Sequence, residues 1–160
     1  MDDWQEFRAI AADPEVMRYI GDGTPWRGER ARRFVHRQIA LFEKRGFCLW
    51  KLALKEGRGL IGFCGLQPLP KTSEIEIGWW LARRCWGLGL ATEAARAALR
   101  DGFERIGLQR IAAIAQPANA ASIGIMRKLG MRFERTTESH GIPVVLYARD
   151  ASTTLPQLVH

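Results

Sequence analysis

The stretch RRCWGLGLATEA, residues Arg83 to Ala94, places two glycines between strand-like residues and an alanine-rich run. A helix that begins here has N-terminal amides without intrahelical partners, and its dipole favours anions. Because Gly87 and Gly89 lack a Cβ, the backbone can approach a pyrophosphate closely and adopt a positive φ. The stretch lacks the third glycine of a dinucleotide fingerprint and the Gly-Lys-Ser/Thr of a P-loop. By itself it therefore leaves two readings open, an anion-binding turn and a bare strand-to-helix turn.

The segments on either side of this turn predict an α/β domain with a mixed sheet. Apolar spacing and capping residues predict helices, and alternating or continuous apolar runs predict strands. The expected order is helix, helix, three strands, helix, strand, helix and two strands. The expected elements are a helical turn opened by Asp13 and Pro14, a helix over 29–45 ended by Gly46, strands over 47–54, 60–66 and 74–82, a helix over 91–103, a strand over 110–116, a helix capped by Asn119 and running to Leu129, and closing strands over 131–137 and 143–149.

The length of 160 residues predicts a single domain over 1–150 and an unstructured tail over 151–160. No apolar run approaches the roughly 20 residues of a membrane span, and the acidic start, broken by Pro14, is no secretory signal. Three cysteines without metal-ligand spacing indicate reduced thiols. We therefore expect a cytoplasmic protein with no membrane partner and no bound metal.

The formal net charge of +7 suggests an acidic partner, either a nucleic acid or a small polyanion such as a nucleotide. The tryptophans cluster near the Gly87 turn and away from the arginine-rich helix over 29–45. No helix-turn-helix, zinc-finger or RNP pattern is present, which disfavours nucleic acid. The arginines of that helix either attract an acidic substrate or form an ordinary solvated face.

A second constellation, PANAASIGIMRKLGMRF, follows the next strand over residues 117–133. Asn119 suits an N-cap, and Ser122 lies one turn further along the same helix. Taken with EIGWWL from Glu76, WGLGLATEA from Trp86 and KLGM from Lys128, it resembles the GNAT superfamily of acetyl-CoA-dependent N-acetyltransferases. Within that superfamily the chain is most similar to the Rim-type branch, which includes ribosomal-protein N-terminal acetyltransferases.

The resemblance implies a largely antiparallel mixed sheet flanked by helices, whose central parallel strands splay to admit the pantetheine arm of acetyl-CoA. It also implies that backbone groups near Trp79 and Leu81, together with Asn119, bind the arm, and that the amides of Gly87 to Thr92 hold the pyrophosphate. The residues expected to bind acetyl-CoA are Trp79, Leu81, Trp86, Gly87, Leu88, Gly89, Leu90, Ala91, Thr92, Asn119 and Ser122.

The family's pyrophosphate motif, Gln/Arg-x-x-Gly-x-Gly/Ala, fits this chain in two registers. Arg84 to Gly89 matches formally but would begin the helix at Leu90. Placing Trp86 at the Gln/Arg position aligns Gly89 and Ala91 with the two small residues and leaves Thr92 in the first helical turn. We prefer the second register, in which Trp86 replaces the usual polar side chain.

The chemistry implied is direct attack of a primary amine on the thioester. The tyrosine that many relatives use as acid is replaced by Met126, so Ser122 is the expected proton donor for the leaving thiolate. Glu76 or Glu74 could act as base through water, and strand alternation does not choose between them, although Glu76 matches the branch motif better. His140, in the flexible segment ESHGIP, is a weaker candidate, and His36, on the basic helix, is expected to face solvent.

Weak acid–base equipment favours an acceptor of low pKa. At pH 7 an α-amine is about 15% neutral and a lysine amine about 0.04% neutral, so a protein or peptide α-amine is the expected acceptor. A small-molecule amine (polyamine, antibiotic or amino acid) and a non-catalytic acyl-CoA sensor remain alternatives. In such folds the acceptor site would include Trp26, and Tyr147 and His140 are further candidates.

Relatives usually begin with a strand before the first helix, and that strand is apparently missing here. The next strand would then form an open edge. Either the start was assigned late or a partner chain covers this edge, and in the second case we expect a homodimer.

Overall fold

A computed structural model of the protein describes residues 3–57 and 59–151. Its helices are α1 (Asp3–Ala11), α2 (Pro14–Met17), α3 (Gly28–Arg45), α4 (Leu90–Asp101) and α5 (Ala120–Lys128). Its strands are β1 (Leu49–Leu52), β2 (Gly62–Pro68), β3 (Ile75–Leu81), β4 (Arg110–Ala115), β5 (Arg132–Ser139) and β6 (Ile142–Asp150). The predicted element order is confirmed from α2 onward, whereas α1 was not among the expected elements. Arg58 in the first hairpin and the tail over 152–160, which we expected to be unstructured, lie outside the described residues.

The strands form one mixed sheet in the order β1-β2-β3-β4-β6-β5. Only β3 and β4 are parallel, and they pair at a single position, Glu76 with Ala112. Beyond this pair the strands diverge, which is the expected splay. In the described part of the chain no strand precedes α1, and β1 pairs with β2 alone. The homodimer expected from this open edge stays a prediction.

Helices cover both faces of the sheet, each over its own core. On one face, α1, α2 and α3 pack against β1 and β2 through a cluster that includes Phe7, Phe34 and Phe63, with Trp80 against it. The Phe7 ring lies 4.7 Å from Phe63 and 5.1 Å from Phe34, measured between ring centroids. On the other face, α4 and α5 pack through residues such as Leu99. Truncating a buried phenylalanine typically costs about 3–5 kcal/mol, so these contacts hold α3 firmly on the sheet.

The helix ends follow the local signals in the sequence. Asp13 accepts the Glu15 amide at 3.0 Å and Pro14 occupies the first position of α2. Gly46 ends α3 in the left-handed conformation and donates its amide to the Phe42 carbonyl at 2.8 Å. These predictions are confirmed.

Two local features differ from the prediction. The helix expected to reach Phe103 continues past α4 as a π-helical turn, Gly102–Ile106. A Cβ on Gly102 would lie 2.8 Å from Ile111 Cδ1 and from Leu66 Cδ1, so a larger residue there would displace the ends of these two core side chains. The segment expected to be flexible is a two-residue turn between β5 and β6, in which His140 and Gly141 both have positive φ (52° and 74°). That geometry is the type I′ turn typical of tight hairpins.

Within residues 3–57 and 59–151, the helices are too short or too polar to cross a bilayer.

Candidate active site

An open cleft of about 1310 Å³ lies between α3 and the splayed part of the sheet. Its walls come from α3, from β2 and β3, from the end of β4 with the start of α5, and from the β5–β6 turn. Several predicted site residues meet there, namely Trp26, Glu76, Trp79, Asn119, Ser122 and His140. The loop over Trp86 to Thr92 does not line this cleft.

The glycine turn itself has the geometry of an anion site. Gly87 and Gly89 have φ values of 73° and 74°, and a Cβ at either would meet no atom within 4 Å. Glycine is therefore required by the left-handed backbone and not by crowding. Gly89 is the N-cap of α4 and provides no side-chain cap, so the amides of Leu90, Ala91 and Thr92 have no intrahelical acceptor. A cradle of this kind can hold an anionic group such as a phosphate.

Helix α4 begins at Leu90, one residue before the predicted start at Ala91. This is the start that the register from Arg84 requires, so the objection to that register does not hold. The helix start consequently does not distinguish the registers. Both present the same amides to the anion.

Trp86 ties this loop to the end of β3. Its indole Nε1 donates to the Leu81 carbonyl at 2.9 Å, while 47% of the residue stays exposed. The tryptophan that replaces the family's polar residue thus fixes the loop by a hydrogen bond within the protein. It also occupies the carbonyl of Leu81, so the predicted contact of Leu81 with the pantetheine arm is limited to its N–H.

The backbone of β3 turns unpaired groups toward the splay. Ala82 donates its amide to the Ile61 carbonyl on the β2 side. Because hydrogen-bonded and non-hydrogen-bonded positions alternate along an antiparallel pair, the N–H and C=O of Trp79 and Leu81 point away from β2. With β4 diverging beyond Glu76, the Trp79 groups are available to an extended ligand, as the resemblance implied.

Glu76 lies half-buried in the cleft at the end of a chain of hydrogen bonds. Its Oε1 accepts from Gln67 Nε2 at 2.9 Å, and Gln67 Oε1 accepts from Gln38 Nε2 at 3.1 Å. Gln38 Oε1 in turn accepts the Leu49 amide at 2.9 Å. Since each amide side chain has one donor and one acceptor end in use, the direction of the chain is fixed. We call Gln38, Gln67 and Glu76 the glutamine relay.

Burial raises the pKa of Glu76 to about 7, although the hydrogen bond from Gln67 acts in the opposite direction. A carboxyl group with a pKa near neutrality exchanges protons readily at physiological pH. Glu74, the other strand glutamate, has a different environment: Arg110 Nε donates to both of its carboxylate oxygens at 3.1 Å. Glu74 does not line the cleft.

Asn119 and Ser122 lie at the start of α5, where the cleft meets the splay. Asn119 Oδ1 caps the helix by accepting the Ser122 amide at 3.3 Å, as predicted, which leaves the amide donor of Asn119 for a ligand. In the described part of the chain the Ser122 hydroxyl has no hydrogen-bond partner. Met126 is 1% exposed and fills the core beneath α5, so no acid reaches the cleft from that position.

Of the remaining candidates, His140 lines the cleft at the tip of the β5–β6 turn. His36 is exposed on α3 and also lines the cleft. Tyr147, a suggested acceptor-site residue, is instead buried on the α4–α5 face, with its ring 5.7 Å from that of Phe133. The sequence analysis missed Gln38 and Gln67. The available signal was a glutamine in the apolar stripe of α3, since a buried polar side chain requires partners.

Comparison with known proteins agrees with this geometry. Residues 1–132 match the family described as "Acetyltransferase (GNAT) domain". The chain is 34% identical over 145 residues to "Uncharacterized protein YkkB" of Bacillus subtilis, covering 89% of this chain and 83% of that protein. It is 33% identical over 132 residues to "Uncharacterized N-acetyltransferase YnaD" of the same species, covering 82% and 75%.

Solved structures share the fold. A GNAT-family acetyltransferase from Bacillus anthracis superposes with a TM-score of 0.80 at 29% identity, covering 94% of this chain and 90% of that one. RimL, a ribosomal L7/L12 α-N-protein acetyltransferase solved with coenzyme A, superposes with a TM-score of 0.75 at 18% identity, covering 94% and 90%. The chain belongs to the GNAT acetyltransferase family and is an acetyl-CoA-dependent N-acetyltransferase.

Proposed function

We propose that this enzyme acetylates the α-amine of a protein or peptide, with Glu76 as the general base, as in the Rim-type branch. The observation that carries the proposal is a carboxyl group with a pKa of about 7 in the cleft beside the splay of β3 and β4. A base of this pKa is nearly matched to an α-amine, whose pKa is about 7.7–8.0. Moving a proton from a lysine ammonium of pKa about 10.4 would cost about 5 kcal/mol more than moving it between equal partners.

Acetyl-CoA supplies the acetyl thioester. The unpaired amides of Leu90, Ala91 and Thr92, after Gly87 and Gly89, suit its pyrophosphate. The backbone of Trp79, the N–H of Leu81 and the amide donor of Asn119 suit its pantetheine arm.

The reaction removes two protons from the acceptor nitrogen, one before attack and one as the amide forms, and it stabilises the negative charge that leaves with sulfur. Glu76 takes a proton from the acceptor ammonium, directly or through a water molecule, and the neutral nitrogen attacks the thioester carbon. The new C–N bond forms as the C–S bond breaks, and the electron pair of the C–S bond leaves with sulfur. Ser122 donates a hydrogen bond to that sulfur, and the second proton of the nitrogen passes through solvent to the departing thiolate. Full proton transfer from a hydroxyl is unnecessary, because a thiol has a pKa of only about 8.5.

The open shape of the cleft favours a peptide. The cleft measures about 1310 Å³ and has to hold the pantetheine arm as well as the acceptor, but it is open, so a peptide chain can extend out of it from Glu76. RimL, which shares the fold, is described as an α-N-protein acetyltransferase, the activity proposed here.

The test is a thiol-release assay with acetyl-CoA and a panel of acceptors. The panel contains Ser- and Ala-initiated peptides, the same peptides with a blocked N-terminus and an internal lysine, polyamines, aminoglycosides and free amino acids. Release with free N-termini and not with blocked peptides is the expected result. Preference for the lysine peptide or for a polyamine would refute the α-amine assignment.

A further inference from the structure

Three arginines form a stripe on α3 that faces the cleft. Arg30, Arg33 and Arg37, here called the arginine stripe, are spaced at i, i+3 and i+7, so they lie on one side of the helix. All three line the cleft. Arg37 directly precedes Gln38 of the glutamine relay, so the stripe approaches Glu76 at its C-terminal end.

Most of the charge on the stripe is not neutralised by the protein. Arg30 lies 3.8 Å from Asp22, and its guanidinium stacks 4.7 Å from the Trp26 ring centroid. Arg33 and Arg37 are exposed and have no ion pair in the described part of the chain. Four arginines and two glutamates line the cleft, namely Arg30, Arg32, Arg33, Arg37, Glu29 and Glu76, together with His36 and His140. The cleft therefore carries an excess of positive charge.

The Trp26 indole, against which Arg30 stacks, is a buried donor at the N-terminal end of the stripe. Trp26 lines the cleft and is 8% exposed, and its indole Nε1 has no hydrogen-bond partner in the part of the chain that the structure describes. Buried N–H groups are almost always paired. Because this nitrogen has almost no accessible surface, a ligand in the cleft does not reach it, and the arginines supply the exposed donors there.

We infer that the arginine stripe binds an anionic group, a carboxylate or a phosphate, carried by the amine acceptor. This inference rests on the proposed function and adds the charge of the substrate to it. A surplus of arginines repels polycations such as polyamines and concentrates acidic acceptors. Nearby cations also favour the neutral form of a bound amine, the form that attacks.

Helix geometry sets where the acidic group lies. At 1.5 Å per residue, Arg33 is about 6 Å and Arg30 about 10 Å along the helix axis from Arg37. An extended peptide advances about 3.3 Å per residue. With the α-amine level with Arg37, side chains opposite Arg33 and Arg30 belong to residues about two or three positions after the one that bears the amine. The stripe therefore selects acidic side chains at those positions.

The experiment compares matched acceptors with the wild-type enzyme and two variants. The peptides begin Ser-Ala-Glu-Glu, Ser-Ala-Gln-Gln and Ser-Ala-Lys-Lys, and free glutamate and glutamine test whether a small acidic amine suffices. The stripe variant is Arg33→Ala combined with Arg37→Ala. The control is Arg100→Ala, which removes an exposed charge from α4, away from the cleft.

We expect kcat/KM for the Glu peptide to exceed that for the Gln peptide by roughly 3- to 20-fold at low salt, because two exposed charge pairs contribute about that much. The ratio should fall toward one in the stripe variant and at high ionic strength, and should persist in Arg100→Ala. A preference for glutamate over glutamine without a peptide preference would move the anion next to the amine and overturn the spacing.

Equal turnover of the Glu and Gln peptides, or an undiminished ratio in the stripe variant, would overturn the inference and leave the proposed function intact. An equal loss of the ratio in Arg100→Ala would also overturn it, since the effect would then come from overall charge. No release with any acceptor would refute the proposed function and the inference with it.

Discussion

Replacing Glu76 by glutamine tests whether this residue is the base. Glutamine keeps the size of the side chain and a carbonyl oxygen that Gln67 Nε2 can still reach, but it cannot take a proton. Removing a general base typically lowers the rate by about 10²- to 10⁴-fold. We therefore expect kcat/KM to fall by at least about 100-fold at pH 8.

The pH dependence provides the sharper test, because the pKa of Glu76 is about 7. The ionised fraction of such a group rises from about 9% at pH 6 to about 91% at pH 8, whereas a glutamate of ordinary pKa is already about 97% ionised at pH 6. An α-amine acceptor also loses a proton in this range. Because Glu76 acts on the protonated amine, log(kcat/KM) of the wild type should rise with a slope near one below about pH 7 and fall above about pH 8, whereas Glu76→Gln requires only the neutral amine and should rise to about pH 8 without a later fall.

Steady-state kcat/KM is measured from pH 5.5 to 8.5 with a disulfide thiol reagent that works in acid, and a thermal shift with coenzyme A checks that each variant still binds it. Gln67→Leu is the companion variant. Its lost hydrogen bond stabilised the carboxylate, so the acid limb should move to higher pH. In the Glu76→Gln background the same change should leave the limb in place.

The assignment fails if Glu76→Gln keeps the bell-shaped profile of the wild type, since another group would then be titrating. It also fails if Gln67→Leu moves the acid limb equally in both backgrounds.

Three further predictions concern the loop, the serine and the stability of the fold. Gly89→Ala places a side chain at φ 74°, at a cost of about 1–3 kcal/mol, and should abolish the thermal shift with coenzyme A. Gly107→Ala, at φ 78° and with equally open surroundings, should destabilise the fold similarly and keep the shift; loss of the shift in both would refute a local role for the loop. Ser122→Ala should lower kcat by about tenfold or less and leave the shift unchanged, because a thiolate leaves readily without a strong acid; a loss above 1,000-fold would make the serine an obligatory acid. Because the pKa of Glu76 is raised in the folded state, its contribution to stability is present at pH 4.5 and lost as the pH rises through about 7. In melting experiments Glu76→Gln should therefore increase the free energy of unfolding more at pH 8 than at pH 5, by on the order of 1–3 kcal/mol. An equal increase at both pH values would contradict the raised pKa.

Features set by local sequence were predictable. The caps of α2, α3 and α5 come from Asp13, Gly46 and Asn119, which act within a few residues of their own positions. The glycine turn before α4 was predictable for the same reason, because its left-handed conformation is a property of Gly87 and Gly89 themselves.

Features set by pairing across the sheet were not predictable. Alternation placed Glu74 and Glu76 on one face of β3 but could not show that Arg110, 36 residues further along the chain, binds Glu74. Tyr147 was misplaced for a related reason. Alternation gives two faces for β6 without saying which one meets the cleft, and the choice depends on its pairing with Ala113.

The glutamine relay shows how one polar position in a helix can organise a whole site. Gln38 interrupts the apolar stripe of α3, and its burial is possible only because Leu49 and Gln67 supply its partners. Apolar contacts alone tolerate small rotations of a helix, whereas a buried hydrogen bond fails when its geometry changes. The relay therefore fixes the rotation of α3 relative to Glu76. Because Arg37 directly precedes Gln38 on that helix, the relay also sets the distance between Glu76 and the arginines that we infer select the acceptor.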